Sequence, residues 1–204
     1  FIKELKGILD YSKDREKIFH SASIDKYYKI RAQVAISCKS DMTDLLRDLS
    51  NDENIYVKSN CTANINTPAE CLTKILEYII NPNLTKNISA RNKERVINNL
   101  VKNQNTSSKD LSIIFNYNKN RKLKIPFFKL DFFSLIKNKN TPEEIINALC
   151  FHSKHNIRKT AIENCKDENT LLKLAVNLTK HDTSLAKEII KNKLFNKKIQ
   201  KMIL

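Results

Sequence analysis

The chain has 204 residues, of which 41% are hydrophobic and 29% charged, and its formal net charge is +15. It contains one glycine and four prolines, which argues against the glycine-rich phosphate loops of Rossmann and P-loop domains and against the tight turns of an all-β fold. No apolar run approaches the roughly 18 residues that span a bilayer. The composition therefore predicts an all-α fold, without a membrane span, whose helices are joined by short polar turns.

Residues 1–27 are predicted to form a degenerate N-terminal helical cap, and residues 28–204 a helical-repeat region. The apolar residues of the predicted cap recur at helical spacing. They are Ile2, Leu5, Ile8, Leu9, Ile18 and Phe19. Such an element would cover the free end of the first repeat.

Three stretches of the repeat region align without gaps, and they begin at Ile30, Val57 and Ile157. Small or apolar residues occupy their first, fifth and ninth positions, which lie on one face of an α-helix. The same frame finds three more copies, beginning at Val96, Asp131 and Leu185. The eighth position of the frame is polar in every copy. The residues there are Ser37, Asn64, Asn103, Asn138, Asn164 and Asn192. We interpret this ladder as helix C-caps, in which asparagine tolerates the left-handed conformation; a polar binding row is the alternative.

A second signal follows three residues after each polar position, where five of the six copies carry a short side chain with an oxygen. Such residues can accept hydrogen bonds from the free amides at a helix N-terminus. The predicted N-caps are Ser40, Thr67, Thr106, Thr141 and Asp167, while the sixth copy has Phe195. Thr67 and Thr141 are each followed by proline and, three residues on, by glutamate, which is the pattern of a capping box.

From each predicted cap, apolar residues recur at the fifth, eighth and ninth following positions. Examples are Leu72, Ile75 and Leu76 in the second copy and Leu172, Ala175 and Val176 in the fifth. Each unit therefore reads as a helix, a tight turn and a second amphipathic helix. We predict a right-handed α-solenoid of about six stacked helix pairs, with a basic, aromatic-containing insertion near 116–130. Chance alignment in a chain with 25 isoleucines and 25 asparagines is the competing explanation.

The string V-K-S-N-C-T-A-N-I-N-T-P-A-E-C-L, residues 57–72, resembles the leucine-rich-repeat variant. The string N-K-N-T-P-E-E-I-I, residues 138–146, resembles the same unit. That family and the broader HEAT-like class stack into curved superhelices, so the resemblance implies the same for this chain. The copies here begin 26 to 39 residues apart, which favours HEAT-like helix pairs.

Basic residues are concentrated in the second half of the chain. Residues 1–100 carry 16 basic and 13 acidic side chains, a net of +3, whereas residues 101–204 carry 21 and 9, a net of +12. The insertion and the C-terminal region supply the candidate anion-binding and nucleic-acid-binding residues. They are Lys119, Arg121, Lys122, Lys124, Lys129, Lys187, Lys191 and Lys198. AT-rich codon bias, which favours lysine, asparagine and isoleucine, is the alternative explanation for the charge.

Cysteine and histidine could suggest a metal site at Cys150, His152, His155 and Cys165, but both cysteines occupy apolar repeat positions, so we interpret them as core residues. Some members of the resembled family are linked to an iron–sulfur cluster through an N-terminal cysteine group, and residues 1–37 contain no cysteine. We expect no cofactor and no metal. The Glu143–Glu144 pair is interpreted as a partner of a helix N-terminus, not as a catalytic pair.

These patterns favour a non-enzymatic binding scaffold whose concave surface receives a protein partner. Nucleic-acid binding by the basic C-terminal half is the alternative. A minor alternative is an enzyme similar to the alkylpurine DNA glycosylases, which use helical repeats and a basic charge but depend on tryptophan, and this chain has none. Five cysteines without a C-x-x-C pair predict a reducing, cytoplasmic location, and we expect a monomer.

Overall fold

A computed structural model describes residues 14–119, 129–177 and 183–203 of the chain. All regular secondary structure in these ranges is helical, and no strand occurs among them. The predicted all-α class is therefore confirmed for the part that the structure describes. The helices divide into two compact units, of which the first ends at Leu130 and the second runs from Asp131 to Leu204.

The first unit contains seven described α-helices and one short 3₁₀ helix. They are α1 (Arg15–Ser23), α2 (Tyr28–Ser37), the 3₁₀ helix (Ser40–Met42), α3 (Thr43–Ser50), α4 (Ile55–Ala63), α5 (Ala69–Ile80), α6 (Ala90–Lys102) and α7 (Ser108–Lys119). Helix α2 packs against α4, and α4 packs against α6, so the first helices of three predicted copies lie side by side. Helix α3 packs against α5 in the same way.

The second unit contains six described α-helices. They are α8 (Phe132–Lys137), α9 (Glu143–Leu149), α10 (His155–Asn164), α11 (Glu168–Val176), α12 (Thr183–Lys191) and α13 (Lys197–Ile203). Helix α8 packs against α10, α10 packs against α12, and α11 packs against α13. Every predicted first and second helix therefore has a described counterpart. The predicted boundary between residues 27 and 28 stays a prediction, although α1 packs against α2 and α3.

The apolar stripes of these helices form the cores of the two units. In α5 the predicted residues Leu72, Ile75 and Leu76 are buried. In α11 the buried residues are Leu171, Leu174 and Ala175, whereas Val176 is 62% exposed. The prediction that Leu172 and Val176 face the core was therefore wrong by one position. The reason is that this copy has a shorter turn before its second helix.

The turns between paired helices differ from the prediction in their backbone. The C-caps of α4, α6 and α8 are Asn64, Asn103 and Asn138, and all three have extended dihedral angles, with φ between −79° and −71°. No described residue has a positive φ, so the predicted left-handed conformation was wrong. In the first and fifth copies the C-cap is Cys38 or Cys165, one residue after the predicted Ser37 and Asn164.

The predicted N-caps have two different outcomes. Asp167 is confirmed, because its carboxylate accepts from the backbone amides of Asn169 at 3.0 Å and Thr170 at 3.2 Å. Thr67 and Thr106 instead donate their hydroxyls backwards, each at 2.6 Å, to carbonyls near the end of the preceding helix. Thr141 does the same, and Ser40 makes no side-chain cap. These threonines therefore bond to carbonyls in the last turn of the preceding helix, where fewer backbone amides are available as donors.

The N-terminus of α7 is capped one residue later than predicted. Ser107 Oγ accepts from the backbone amide of Asp110 at 3.1 Å, and the Ser107 hydroxyl donates to the Asp110 carboxylate at 2.8 Å. Proline residues 68 and 142 occupy the corresponding positions before α5 and α9. The N-cap positions therefore lie one residue after the threonines, and the second helices begin at the residue that follows.

One cation lies inside the first unit. Lys58 is only 6% exposed, and its ammonium donates to the backbone carbonyl of Ser50 at 3.0 Å and lies 4.8 Å from the ring centroid of Tyr78. Burial lowers the pKa of Lys58 below its ordinary value. The folded protein therefore holds this proton less tightly than the unfolded chain does.

This burial predicts a pH-dependent stability. Between the lowered pKa of folded Lys58 and its ordinary value of 10.5, the unfolded state binds more protons at this site, so Lys58 adds an upward slope to the dependence of the free energy of unfolding on pH. The raised pKa of the Cys38 thiol adds a downward slope over the same range, so urea denaturation at several alkaline pH values should give a more negative slope for Lys58→Met than for the unsubstituted chain. Lys74→Met, an exposed position on α5, should keep the slope of the unsubstituted chain. An unchanged slope in the Lys58 variant would contradict the prediction.

Candidate functional site

Buried asparagine side chains connect the first helices of consecutive copies in the first unit. The Asn64 amide donates to the carbonyls of Ala35 at 2.8 Å and Cys38 at 2.9 Å, at the C-terminal end of α2. The Asn103 amide donates to the carbonyls of Thr62 at 3.0 Å and Asn64 at 2.9 Å, at the end of α4. Each asparagine therefore satisfies carbonyls that the preceding helix leaves without an intrahelical partner.

The oxygen of each ladder asparagine closes its own turn. Asn64 Oδ1 accepts from the amide of Asn66 at 2.8 Å, and Asn103 Oδ1 accepts from the amide of Asn105 at 3.0 Å. Because both side chains are about 95% buried, these contacts are shielded from water. The amide nitrogen and the amide oxygen of each residue thus act together to fix the extended turn and the neighbouring copy.

The second unit repeats this contact. The Asn192 amide donates to the carbonyls of Ile162 at 2.5 Å and Cys165 at 3.1 Å, at the end of α10, and its oxygen accepts from the amide of Leu194 at 2.8 Å. Asn138 is also buried, and its oxygen accepts from the amide of Asn140 at 3.0 Å. Asn164, which the sequence placed in the ladder, instead bonds within its own helix to Thr160.

Two further rows of asparagines make the same lateral contact in the first unit. Four residues before the ladder, Asn60 donates to the carbonyl of Ala32 at 2.8 Å and Asn99 to that of Ser59 at 2.9 Å. Two residues after the ladder, an asparagine amide again reaches the preceding turn. Those bonds run from Asn66 to Cys38 at 3.1 Å and from Asn105 to Ile65 at 2.7 Å. The string Asn-x-Asn-Thr, at residues 64–67, 103–106 and 138–141, is the sequence signal that we missed.

An aromatic and cationic contact lies eight or nine residues before the ladder positions of the same helices. The rings of Tyr28 and Tyr56 are stacked, with centroids 5.5 Å apart and planes at 29°. The Arg95 guanidinium carbon lies 4.7 Å from the Tyr56 ring centroid. We call these three residues the tyrosine–arginine row. It takes one side chain from each of α2, α4 and α6, and Tyr56 remains 40% exposed.

The opposite ends of α2 and α4 border an open cavity of about 430 Å³. Ile36 and Ile65 lie among its lining residues, and they are 39% and 78% exposed. Exposed branched aliphatic side chains are unfavourable in water, and clusters of them are typical of binding surfaces. The first-helix side of the first unit therefore presents exposed apolar and aromatic groups at both ends of α2 and α4.

The basic residues that the sequence singled out lie in different places. Lys119 and Lys129 are exposed and belong to the first unit, and the Lys119 ammonium lies 5.6 Å from the Phe115 ring centroid. Helix α7 continues to Lys119, so residues 116–119 of the predicted insertion are helical, and the insertion itself stays a prediction. Arg121, Lys122 and Lys124 lie outside the described residues.

In the second unit, Lys187 and Lys191 are exposed on α12, one helical turn apart. The Lys191 ammonium lies 3.9 Å from the buried carboxylate of Glu188, which also pairs with Lys159 at 3.1 Å. Lys198 belongs to α13, and its side chain is outside the described part. The structure thus assigns the described candidates to two units.

All five cysteines are free and buried. Burial raises the pKa of the Cys38 thiol to about 12, so this thiol is protonated at neutral pH and is a poor nucleophile. His152 Nδ1 accepts from the backbone amide of Lys154 at 3.0 Å, and its ring lies 5.1 Å from that of Phe132. Within the described ranges, no group of three or more histidine, cysteine or acidic residues is placed to hold a metal ion.

No helix in the described part of the chain is long and apolar enough to cross a membrane. No protein-family model matches the chain, and no curated protein or solved structure matches it. The resemblance to the leucine-rich-repeat variant and to HEAT-like repeats therefore stays a prediction.

Proposed function

We propose that this protein is a non-enzymatic helical-repeat scaffold, a right-handed, HEAT-like α-solenoid of about six helix pairs, which binds a protein partner. The lateral asparagine network is the observation that supports this most. It makes the same contact from α4 to α2, from α6 to α4 and from α12 to α10. A recurring contact between neighbouring copies is typical of repeat proteins, in which each repeat is held by the next.

The exposed side chains of the first helices support protein binding. Aromatic residues, methionine and arginine are enriched at protein interfaces, and lysine and glutamate are depleted there. Ile36 and Tyr56 on the first helices, and Tyr27 and Ile65 just outside their ends, are each between 39% and 78% exposed. Consecutive first helices would place such residues on a continuous surface.

Two measurements test the proposal. Small-angle X-ray scattering of the full chain should give a radius of gyration well above about 17 Å, the value for a globular protein of this length. Immobilised full-length protein should retain a defined partner from nuclease-treated lysate, and the purified partner should bind it in calorimetry. A radius near that of a globule would refute the solenoid, and failure to retain any nuclease-resistant partner would refute the protein-binding role.

Nucleic-acid binding is the second candidate, and the exposed pair Lys187 and Lys191 on one helix is the observation that favours it. Such binding would be dominated by phosphate contacts, so its affinity for labelled DNA or RNA would fall steeply as salt rises. Fluorescence anisotropy at low and moderate salt measures this. Binding of the protein to labelled nucleic acid, together with failure to capture the protein partner once the lysate is treated with nuclease, would favour this candidate over the scaffold.

A further inference from the structure

We infer that the tyrosine–arginine row is the docking site for an acidic segment of the protein partner. This inference rests on the proposed function and names the chemistry of the partner. The row is built from three successive first helices, so a chain lying across it would contact three repeats. Its members are held in place by one another, through the stacked rings of Tyr28 and Tyr56 and the guanidinium of Arg95.

The arginines of the first unit differ in whether they form ion pairs. Three of them pair with carboxylates: Arg15 with Asp41, Arg31 with Asp52 and Arg47 with Asp44. By contrast, Arg91 and Arg95 on α6 are exposed, and neither forms an ion pair with any residue that the structure describes. Because these two residues are one helical turn apart, they share a face of α6.

The guanidinium of Arg95 is prepared for a carboxylate. An arginine that stacks on an aromatic face keeps its planar edge of N–H donors free, and that edge matches a carboxylate through two parallel hydrogen bonds. Stacking on Tyr56 also limits the rotamer freedom that the side chain would lose on binding. An aspartate or glutamate of a partner would therefore find the Arg95 cation already positioned by Tyr56, with Arg91 one helical turn away on the same helix.

The same contacts argue against single-stranded nucleic acid as the occupant. Base stacking needs free aromatic faces, and the Tyr56 ring already has the Tyr28 ring and the Arg95 guanidinium against it. A short acidic peptide needs only the few cations that the row supplies.

The test uses the full chain and a fluorescein-labelled twelve-residue peptide of glutamate and leucine, measured by fluorescence anisotropy. The double variant Arg91→Gln/Arg95→Gln should weaken binding about tenfold, which corresponds to about 1.4 kcal/mol. Lys74→Gln/Lys109→Gln is the matched control, because it removes the same charge from exposed positions on α5 and α7. The control should change binding less than about twofold. Circular dichroism melting should establish that both variants are folded.

Three results would overturn the inference. They are equal weakening in the control, tighter binding of a twelve-nucleotide oligo-dT that depends on the same two arginines, or no binding of the peptide by the unsubstituted chain. Measuring how the captured partner binds the double variant distinguishes failure of this docking site from failure of the proposed function. If the partner still binds Arg91→Gln/Arg95→Gln with unchanged affinity, the scaffold role stands and the docking site is wrong; if no partner is captured, the scaffold role itself fails.

Discussion

Asn103→Ala is expected to lower the free energy of unfolding by about 3 kcal/mol. The substitution removes two hydrogen bonds, to the carbonyls of Thr62 and Asn64, and leaves both carbonyls without this donor in a buried site. It also removes the acceptor of the Asn105 amide. An unpaired buried polar group costs about 1–3 kcal/mol, so the loss exceeds that of an ordinary surface change. Urea denaturation followed by circular dichroism measures it.

Asn103→Asp sharpens this test, because it keeps the shape of the side chain and replaces the donor with an oxygen. That oxygen would face two carbonyls, so the loss of stability should be at least as large as in the alanine variant. Asn116→Ala, at an exposed position on α7, is the control and should change stability by less than about 0.5 kcal/mol. Similar small effects at both positions would show that the ladder does not stabilise the stack.

Asp52→Ala should destabilise the first unit by about 3 kcal/mol. The Asp52 carboxylate binds Arg31 in a bidentate pair, at 2.6 Å and 3.0 Å, and also accepts from the backbone amide of Asn54. The two side chains are only 13% and 7% exposed, so removing the acid leaves a buried guanidinium without its partner. The pair connects α2 to the loop before α4. Urea denaturation of Asp52→Ala, of Arg31→Met and of the double variant Arg31→Met/Asp52→Ala forms a thermodynamic cycle.

The double variant Arg31→Met/Asp52→Ala should recover at least half of the loss, because it removes the unpaired charge as well. Arg47→Met is the control for a solvated pair. The Arg47–Asp44 distance is also 2.6 Å, but these side chains are 49% and 92% exposed, so the change should cost less than about 1 kcal/mol. If Asp52→Ala and Arg47→Met lowered the free energy of unfolding equally, burial would not determine how much an ion pair stabilises this protein.

The predictions for Asn103 and Asp52 concern contacts that hold neighbouring helices together, and these contacts affect function because they set the separations between those helices. A scaffold needs its first helices at fixed separations, because the tyrosine–arginine row requires side chains from α2, α4 and α6 at once. The asparagine bonds lie on the same face of α4 and α6, four and eight residues from the row. Loss of a ladder asparagine is therefore expected to lower the affinity for the acidic peptide as well as the free energy of unfolding.

Spacing in the sequence determined which segments are helices and which residues they bury. Leu72, Ile75 and Leu76 are spaced three residues and one residue apart, which places all three on one apolar face of a helix. That face is buried in the structure, and its position did not depend on which helix packs against it. The ladder positions Asn64 and Asn103 were also visible as polar residues at the end of an apolar helix. These are local properties, so a single sequence was sufficient to find them.

Only the tertiary structure decided where the polar side chains bond. Thr67 has the local sequence of an N-cap, yet its hydroxyl donates to the Cys61 carbonyl at 2.6 Å, and Pro68 occupies the N-cap position of α5. Asn164 was the predicted C-cap of α10, but the C-cap is Cys165, and the Asn192 amide donates to its carbonyl. Tyr56 and Arg95 are 39 residues apart, and periodicity within one helix carries no information about which side chain of the next helix will face it.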